Sequence, residues 1–272
     1  MYADRVALAS LNIANPLVAW LVYRGELISS SQLHDQAVGF WLMRALSAES
    51  STGHRSAVFR DELILDALRE AHQPNAISRL RGLYVFDDEK SAERAIQQWG
   101  GSFHQDALAE VGILEGSRWS RHDAEWISTR IGGGDASWML PYLQGEPCGD
   151  DPIWELLVEG RAVVFGTQLR EAAYEVVKRV WPRSLALLEL SRVAVELRSE
   201  LGVIAPMVHG QSNDYRVDFA MNFVDATNQE FLKRLARYEG EKNTNDLLPG
   251  SDLVLPDLRP YSFKLPALPE AS

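Results

Sequence analysis

The sequence predicts an α+β protein with a helical C-terminal third. Short apolar runs of strand length, such as Leu-Tyr-Val-Phe at 83–86, interleave irregularly with amphipathic helical stretches such as 57–71. From 167 to 201 the spacing of apolar residues turns helical and stays so, broken only at Pro182. No segment repeats at a fixed period.

The elements follow in order. Asn15-Pro16 marks a break, and 17–23 (LVAWLVY), rich in aromatic and β-branched residues, predicts a buried strand ending at the turn Arg24-Gly25-Glu26. Residues 35–50 predict a helix with Val38, Trp41, Leu42 and Leu46 on one face. A polar loop follows at 49–54. The clearest helix is 57–71, with an apolar stripe of Phe59, Leu63, Ile64, Ala67 and Leu68, stopped by Pro74. The strand at 83–86 leads to Asp87-Asp88, a capping pair for a helix over 89–99 that ends at Gly100-Gly101. Residues 103–131 predict strands and loops carrying Trp119 and Trp126, and Gly132-Gly133-Gly134 a flexible turn or a point of close approach. A Gly/Pro/Asp-rich loop at 144–152 precedes one or two strands meeting at Gly160. Residues 215–224 alternate like a strand, 227–238 predict a helix, and the last ~30 residues hold five of the 12 prolines, which predicts an extended tail. The domain reading is a core over 1–166, a helical region over 167–240 and a tail over 241–272.

Composition narrows function by exclusion. The 272 residues are 46% hydrophobic and 24% charged, ordinary globular values. A net charge of −11 argues against a bulk nucleic-acid binder, which needs basic surface to displace counterions. Cys148 is the sole cysteine, so neither an internal disulfide nor a cysteine zinc site is expected. No apolar run reaches ~20 residues and no basic segment precedes the first apolar stretch, so a cytoplasmic-type protein without membrane attachment is expected. P-loop, dinucleotide-fingerprint and nucleophile-elbow motifs are absent, and no His pair has H-x-x-x-H spacing, so no metal is expected. His122-Asp123 reads as a surface-like structural pair, and Arg192 and Arg198, interleaved with Glu189, Glu196 and Glu200, as a solvated helix face.

Three places set polar side chains where a strand should be buried. Arg24 ends an apolar run beside Gly25, and suits either a grip on phosphate or simple emergence into solvent. Arg79 precedes the strand in which Tyr84 and Phe86 share a face, either to stack a planar ring or as core. In the 154–159 run, Glu155 shares a face with Leu157 and Glu159. Its carboxylate is paired or used there, or the run is a half-exposed edge strand.

Together the stretches P-x-x-x-SRL-x-x-LYVF-x-D (from Pro74), A-x-x-A (from Ala92) and D-P-x-W-E-x-L (from Asp151) resemble a bacterial domain family of unassigned function, grouped with the ADP-ribosyltransferase-like folds. The resemblance covers roughly 17–166. It implies a split antiparallel sheet with flanking helices and a cleft for NAD, used as co-substrate without a metal. It implies Arg24 as the group holding the adenosine part, Tyr84, with Ser78 second, against the nicotinamide, and Glu155, with Glu159 as fallback, on the nicotinamide ribose. Arg24 and Arg79 would neutralise the pyrophosphate, and Phe86 would stand beside Tyr84 in the cofactor site. A fixed carboxylate beside an oxocarbenium-like ribose would stabilise the transition state more than the ground state. Three departures stand out. Arg24 replaces the His of the tyrosine-using branch, the serine-rich second motif is missing, and Ile153 stands where arginine-modifying members carry an acid or amide.

The expectation is therefore an NAD-dependent ADP-ribosyltransferase, of toxin or effector type, acting in its own cytoplasm or that of a target cell. The acceptor is macromolecular, protein rather than nucleic acid. The alternatives are an inactive module of the same fold that binds a nucleotide or a partner protein, and an interaction protein with no small-molecule site.

Overall fold

The structure is a computed structural model that describes residues 3–42, 52–100, 103, 105–211, 214–240 and 252–265. It is α+β, built on a seven-stranded, wholly antiparallel sheet with flanking helices and a separate three-stranded sheet. Strands β1 (Ala3–Ser10), β2 (Glu26–Ile28), β3 (Leu83–Phe86), β4 (Leu108–Leu114), β5 (Arg118–Asp123), β6 (Trp154–Glu159) and β7 (Arg161–Val164) order as β2-β7-β4-β1-β3-β6-β5. The small sheet orders β8 (Ile204–Gln211), β9 (Asp214–Met221) and β10 (Phe263–Lys264) as β10-β9-β8. No described helix is long and apolar enough to cross a membrane.

The expected strand at 17–23 is corrected: Pro16–Arg24 is a helix, α1. The Asn15 side chain caps the Leu17 amide, Pro16 occupies the first turn, and Gly25 closes the end in the left-handed region at φ 93°. α1 carries no polar stripe because it is buried nearly all round, with Leu17, Ala19, Trp20 and Val22 at 2% exposure or less. Gly25 does accommodate a close approach, but the neighbour is the Arg170 guanidinium, about 3.1 Å from where a Cβ would stand.

Helix α2 (Thr52–His72) contains the expected 57–71 and begins earlier, so 52–54 is helix rather than loop. Its buried arc is turned relative to the expected stripe. Val58, Phe59, Asp61, Glu62 and Leu65 face inward, while Ile64 and Ala67 are exposed. Two carboxylates thus enter the interior. Residues 35–39 are not helical, a helix begins at Phe40, and the expectation for 43–51 lies outside the described residues. α3 (Glu89–Trp99) starts at Asp88, whose side chain accepts from the Ser91 amide, and ends at Gly100. Trp126 sits in a short helix, α4 (Glu125–Arg130), and α5 (Met139–Leu143) precedes the Gly/Pro/Asp loop. β6 and β7 are two strands meeting at Gly160.

The C-terminal third is helical only in part. α6 (Thr167–Val180) and α7 (Leu185–Glu196) flank the break at Pro182, then the β8-β9 hairpin intervenes before α8 (Gln229–Ala236). Pro206 and Gly210 hide β8 in the sequence. Pro206 stands in the strand at the rim of the small sheet, on the side bridged by 36–38, where it contributes its carbonyl, accepting from the Val38 amide, and no N–H. Residues 252–258 carry no regular secondary structure, and β10 adds the tail to the small sheet.

The largest buried cluster joins both parts of the chain. Trp20 and Leu17 of α1, Val111 of β4 and Leu156 of β6 pack with Val177 of α6, Leu188 of α7 and Ile204 of β8. Trp20 donates its indole N–H to the Gly202 carbonyl at 2.8 Å and meets the Trp181 ring edge-on at 6.2 Å.

Candidate functional site

Glu155 stands near the start of β6, opposite Phe86 of β3 on one side and His122 of β5 on the other. It is 5% exposed. Its Oε1 accepts from Arg79 Nη1 and from the Tyr142 hydroxyl, both at 2.7 Å, and Oε2 takes part in neither bond. Arg79 also grips Glu62 of α2, through Nε to Oε2 at 3.1 Å and Nη2 to Oε1 at 3.2 Å. The turn before β3 positions this arginine: the Ser78 carbonyl accepts from the Arg81 and Gly82 amides, and the Tyr84 hydroxyl donates to the Arg79 carbonyl. The guanidinium lies 4.9 Å from the Tyr84 ring centre.

One guanidinium therefore faces two buried carboxylates. Burial pulls the Arg79 guanidinium down, but Glu62, then Tyr142, Tyr84 and Glu155, outweigh it and hold the charge. Burial pushes the Glu155 carboxyl up, against Arg79 and the Tyr142 bond. Burial likewise raises Tyr84 and Tyr142 well above the usual phenol range, so both keep their protons. His122 supplies no second cation, because burial lowers it to about 4. The expectation of a surface-like His122-Asp123 pair is corrected: the two are 1% and 0% exposed. His122 stacks on Tyr142 at 4.7 Å, donates from Nδ1 to the Tyr142 carbonyl and accepts at Nε2 from Ser120, both at 2.8 Å. Asp123 accepts from the amides of Glu125, Cys148 and Ile153.

Two hollows adjoin this cluster. The smaller, about 40 Å³, is walled by Trp41, Tyr84, Phe86, Trp99 and Phe103 and reaches Glu155. The larger, about 740 Å³, opens between α1, the ends of β1 and β3, and the small sheet. Ser10, Trp41, Tyr84 and Trp99 line both. None of the described residues lining the larger cleft is charged. The Ser10 hydroxyl and the Trp99 indole N–H are buried and have no hydrogen-bond partner among the described residues.

The structure thus brings together Glu155, Arg79, Tyr84 and Phe86. Ser78 contributes its carbonyl to the turn, while its hydroxyl is buried and unbonded. Arg24 lies elsewhere. At 1% exposure it donates to the Ser199 carbonyl at 2.7 Å and to Glu26 at 3.1 Å, and it lines neither hollow. Glu159 stands at the far end of β6, paired with Arg118 at 3.6 Å. Of the expected solvated face, Glu196 and Arg198 are exposed, but Glu189 is corrected: it is 1% exposed and holds Arg192 and the Tyr23 hydroxyl.

Sequence reasoning missed Glu62, Tyr142, Trp41 and Trp99 as parts of the site. Glu62 had a signal, since it falls on the arc between Phe59 and Leu65. Tyr142, in a five-residue helix, had none. No group of His, Cys, Asp and Glu among the described residues could hold a metal ion. NAD fits the described lining poorly, because none of those residues would offer its pyrophosphate a cation. Compared with models of protein families and with curated proteins, the chain matches none.

Proposed function

We propose that this chain binds a small, predominantly apolar molecule in the cleft between α1, the ends of β1 and β3, and the small sheet. The carrying observation is a hollow of about 740 Å³ walled mostly by apolar and aromatic side chains, with Ser10, Asn12, Asn15, Ser30 and Tyr84 among the polar members of its lining. That is the composition and size expected of a small-molecule site.

A second reading is NAD-dependent ADP-ribosyl transfer to a macromolecular acceptor, as the family resemblance implies. Tyr84 and Glu155 lining one pocket favours it. The charge-free cleft and the engagement of Arg24 with Ser199 and Glu26 weigh against it.

Thermal unfolding with separate additions of N-phenyl-1-naphthylamine (a neutral apolar probe), NAD and ADP-ribose distinguishes the two, because a ligand that binds only the folded state raises the midpoint. The first reading expects a rise with the naphthylamine alone. A rise with NAD, accompanied by nicotinamide release that Glu155→Gln abolishes, would replace it with the second.

A further inference from the structure

We propose that the aromatic pocket over Glu155 receives the ammonium head of a cationic amphiphile, a primary or monomethyl alkylamine, whose apolar body lies in the adjoining cleft. This rests on the apolar-ligand reading above and specifies its chemistry.

Ring geometry supports it. Trp41 packs on Tyr84 with centroids 5.0 Å apart, Trp99 on Phe103 at 4.9 Å, and Phe86 closes the set at 6.0 Å from Trp99. Such rings present π faces and edges around a volume of about 40 Å³. A single water needs roughly 10–15 Å³ in the same measure, so an ammonium with its first carbon fits and a bulky trimethylammonium does not. A cation near the faces of tryptophan and tyrosine is attracted by their quadrupoles, most strongly when desolvated.

Charge supports it independently. Among Arg79, Glu62 and Glu155 the formal sum is one negative charge, and the neutral His122 does not correct it. Glu155 is 95% buried, being 5% exposed, and spends only Oε1 on Arg79 and Tyr142. Oε2 is thus an acceptor without a donor among the described residues, on a residue that lines the pocket. An alkylammonium would complete the charge balance and donate to Oε2. A carboxylate or phosphate head would meet a second negative charge.

The test is isothermal titration of the full chain at pH 7.5 with n-octylamine, 1-octanol and octanoate, each below its aggregation threshold. The three share one tail length and differ in the head. Octylamine is expected to bind about 10-fold or more tighter than octanol, and octanoate weaker than both. Glu155→Gln is expected to bring octylamine to the octanol value while octanol itself changes little. The comparison on the unsubstituted protein stands even if that variant fails to fold. Octanol binding as tightly as octylamine, or an amine preference that survives Glu155→Gln, overturns the cationic head and leaves the apolar-ligand reading intact. No uptake of any of the three overturns both.

Discussion

Replacing Arg79 by methionine removes the one cation from a buried pair of acids. The Arg79 side chain is 3% exposed, and the side chains of its partners Glu62 and Glu155 are 2% and 7% exposed. The substitution keeps much of the apolar stem but deletes the grip on Glu62, the bond to Glu155 and the donation to Tyr142. Two carboxylates then remain in the interior with no countercharge. Breaking a buried pair from one side costs about 3–5 kcal/mol. Whole domains are stable by only about 5–15 kcal/mol, so the variant sits near the margin. Urea unfolding at pH 7 followed by circular dichroism measures the loss. The triple variant Arg79→Met, Glu62→Gln, Glu155→Gln should regain most of it, because none of the cluster's three charges is left. Acid should also rescue the single variant. Burial already raises the Glu155 carboxyl with Arg79 present. A raised carboxyl contributes stability that is complete below its unfolded value of about 4.3 and fades as pH rises through the folded one. The deficit of Arg79→Met should therefore shrink on going from pH 7 toward 4. A loss below ~1 kcal/mol at pH 7, or no recovery in the triple variant, would refute the reasoning.

Two further outcomes are expected. His122 is held down to about 4 against an unfolded value of 6.5, so its contribution is full above pH 6.5 and falls away as pH drops toward 4. Urea unfolding at pH 7 and pH 4 should show the unsubstituted protein losing roughly 2–3 kcal/mol more than His122→Asn, and equal losses would count against a neutral buried imidazole. Trp20→Ala deletes a 0%-exposed side chain and its bond to Gly202, and should cost about 3–5 kcal/mol within one cooperative transition, because Trp20 belongs to the cluster that joins α1 to α6, α7 and β8. Two separate transitions would mean the C-terminal part unfolds alone.

Legibility in the sequence followed how local each signal was. α3 could be read to the residue because Asp88 and Gly100 are local punctuation. β3 and the β6-β7 pair were legible as apolar runs bounded by turns. α1 read as a strand because a helix buried all round carries no 3.6-residue stripe, although Asn15, Pro16 and Gly25 were its start and stop signals. β1, where Asp4 and Arg5 blunt the apolar alternation, and β8, with Pro206 inside it, went unread. Within the site, Arg79, Tyr84, Phe86 and Glu155 were legible as polar or aromatic oddities on strands. Their meeting with Glu62 and Tyr142 was not, because those partners come from α2 and α5, packed over the sheet by tertiary contacts with no local sign. Arg24 looked like a ligand group because it ends an apolar run. Of the groups that occupy it, Glu26 is two residues away, but the Ser199 and Leu201 carbonyls lie about 175 residues downstream.

The central claim is that the cleft holds an apolar molecule, and fluorescence titration with N-phenyl-1-naphthylamine tests it most directly. Trp41 and Trp99 line the cleft, so bound probe should quench their emission by energy transfer and give a blue-shifted signal that saturates at one site per chain. Val18→Trp should weaken probe binding while the protein stays folded, since Val18 is a half-buried residue of α1 that lines the cleft and a larger ring there takes up part of it. Probe binding that never saturates, or whose affinity is unchanged in Val18→Trp, would contradict the account.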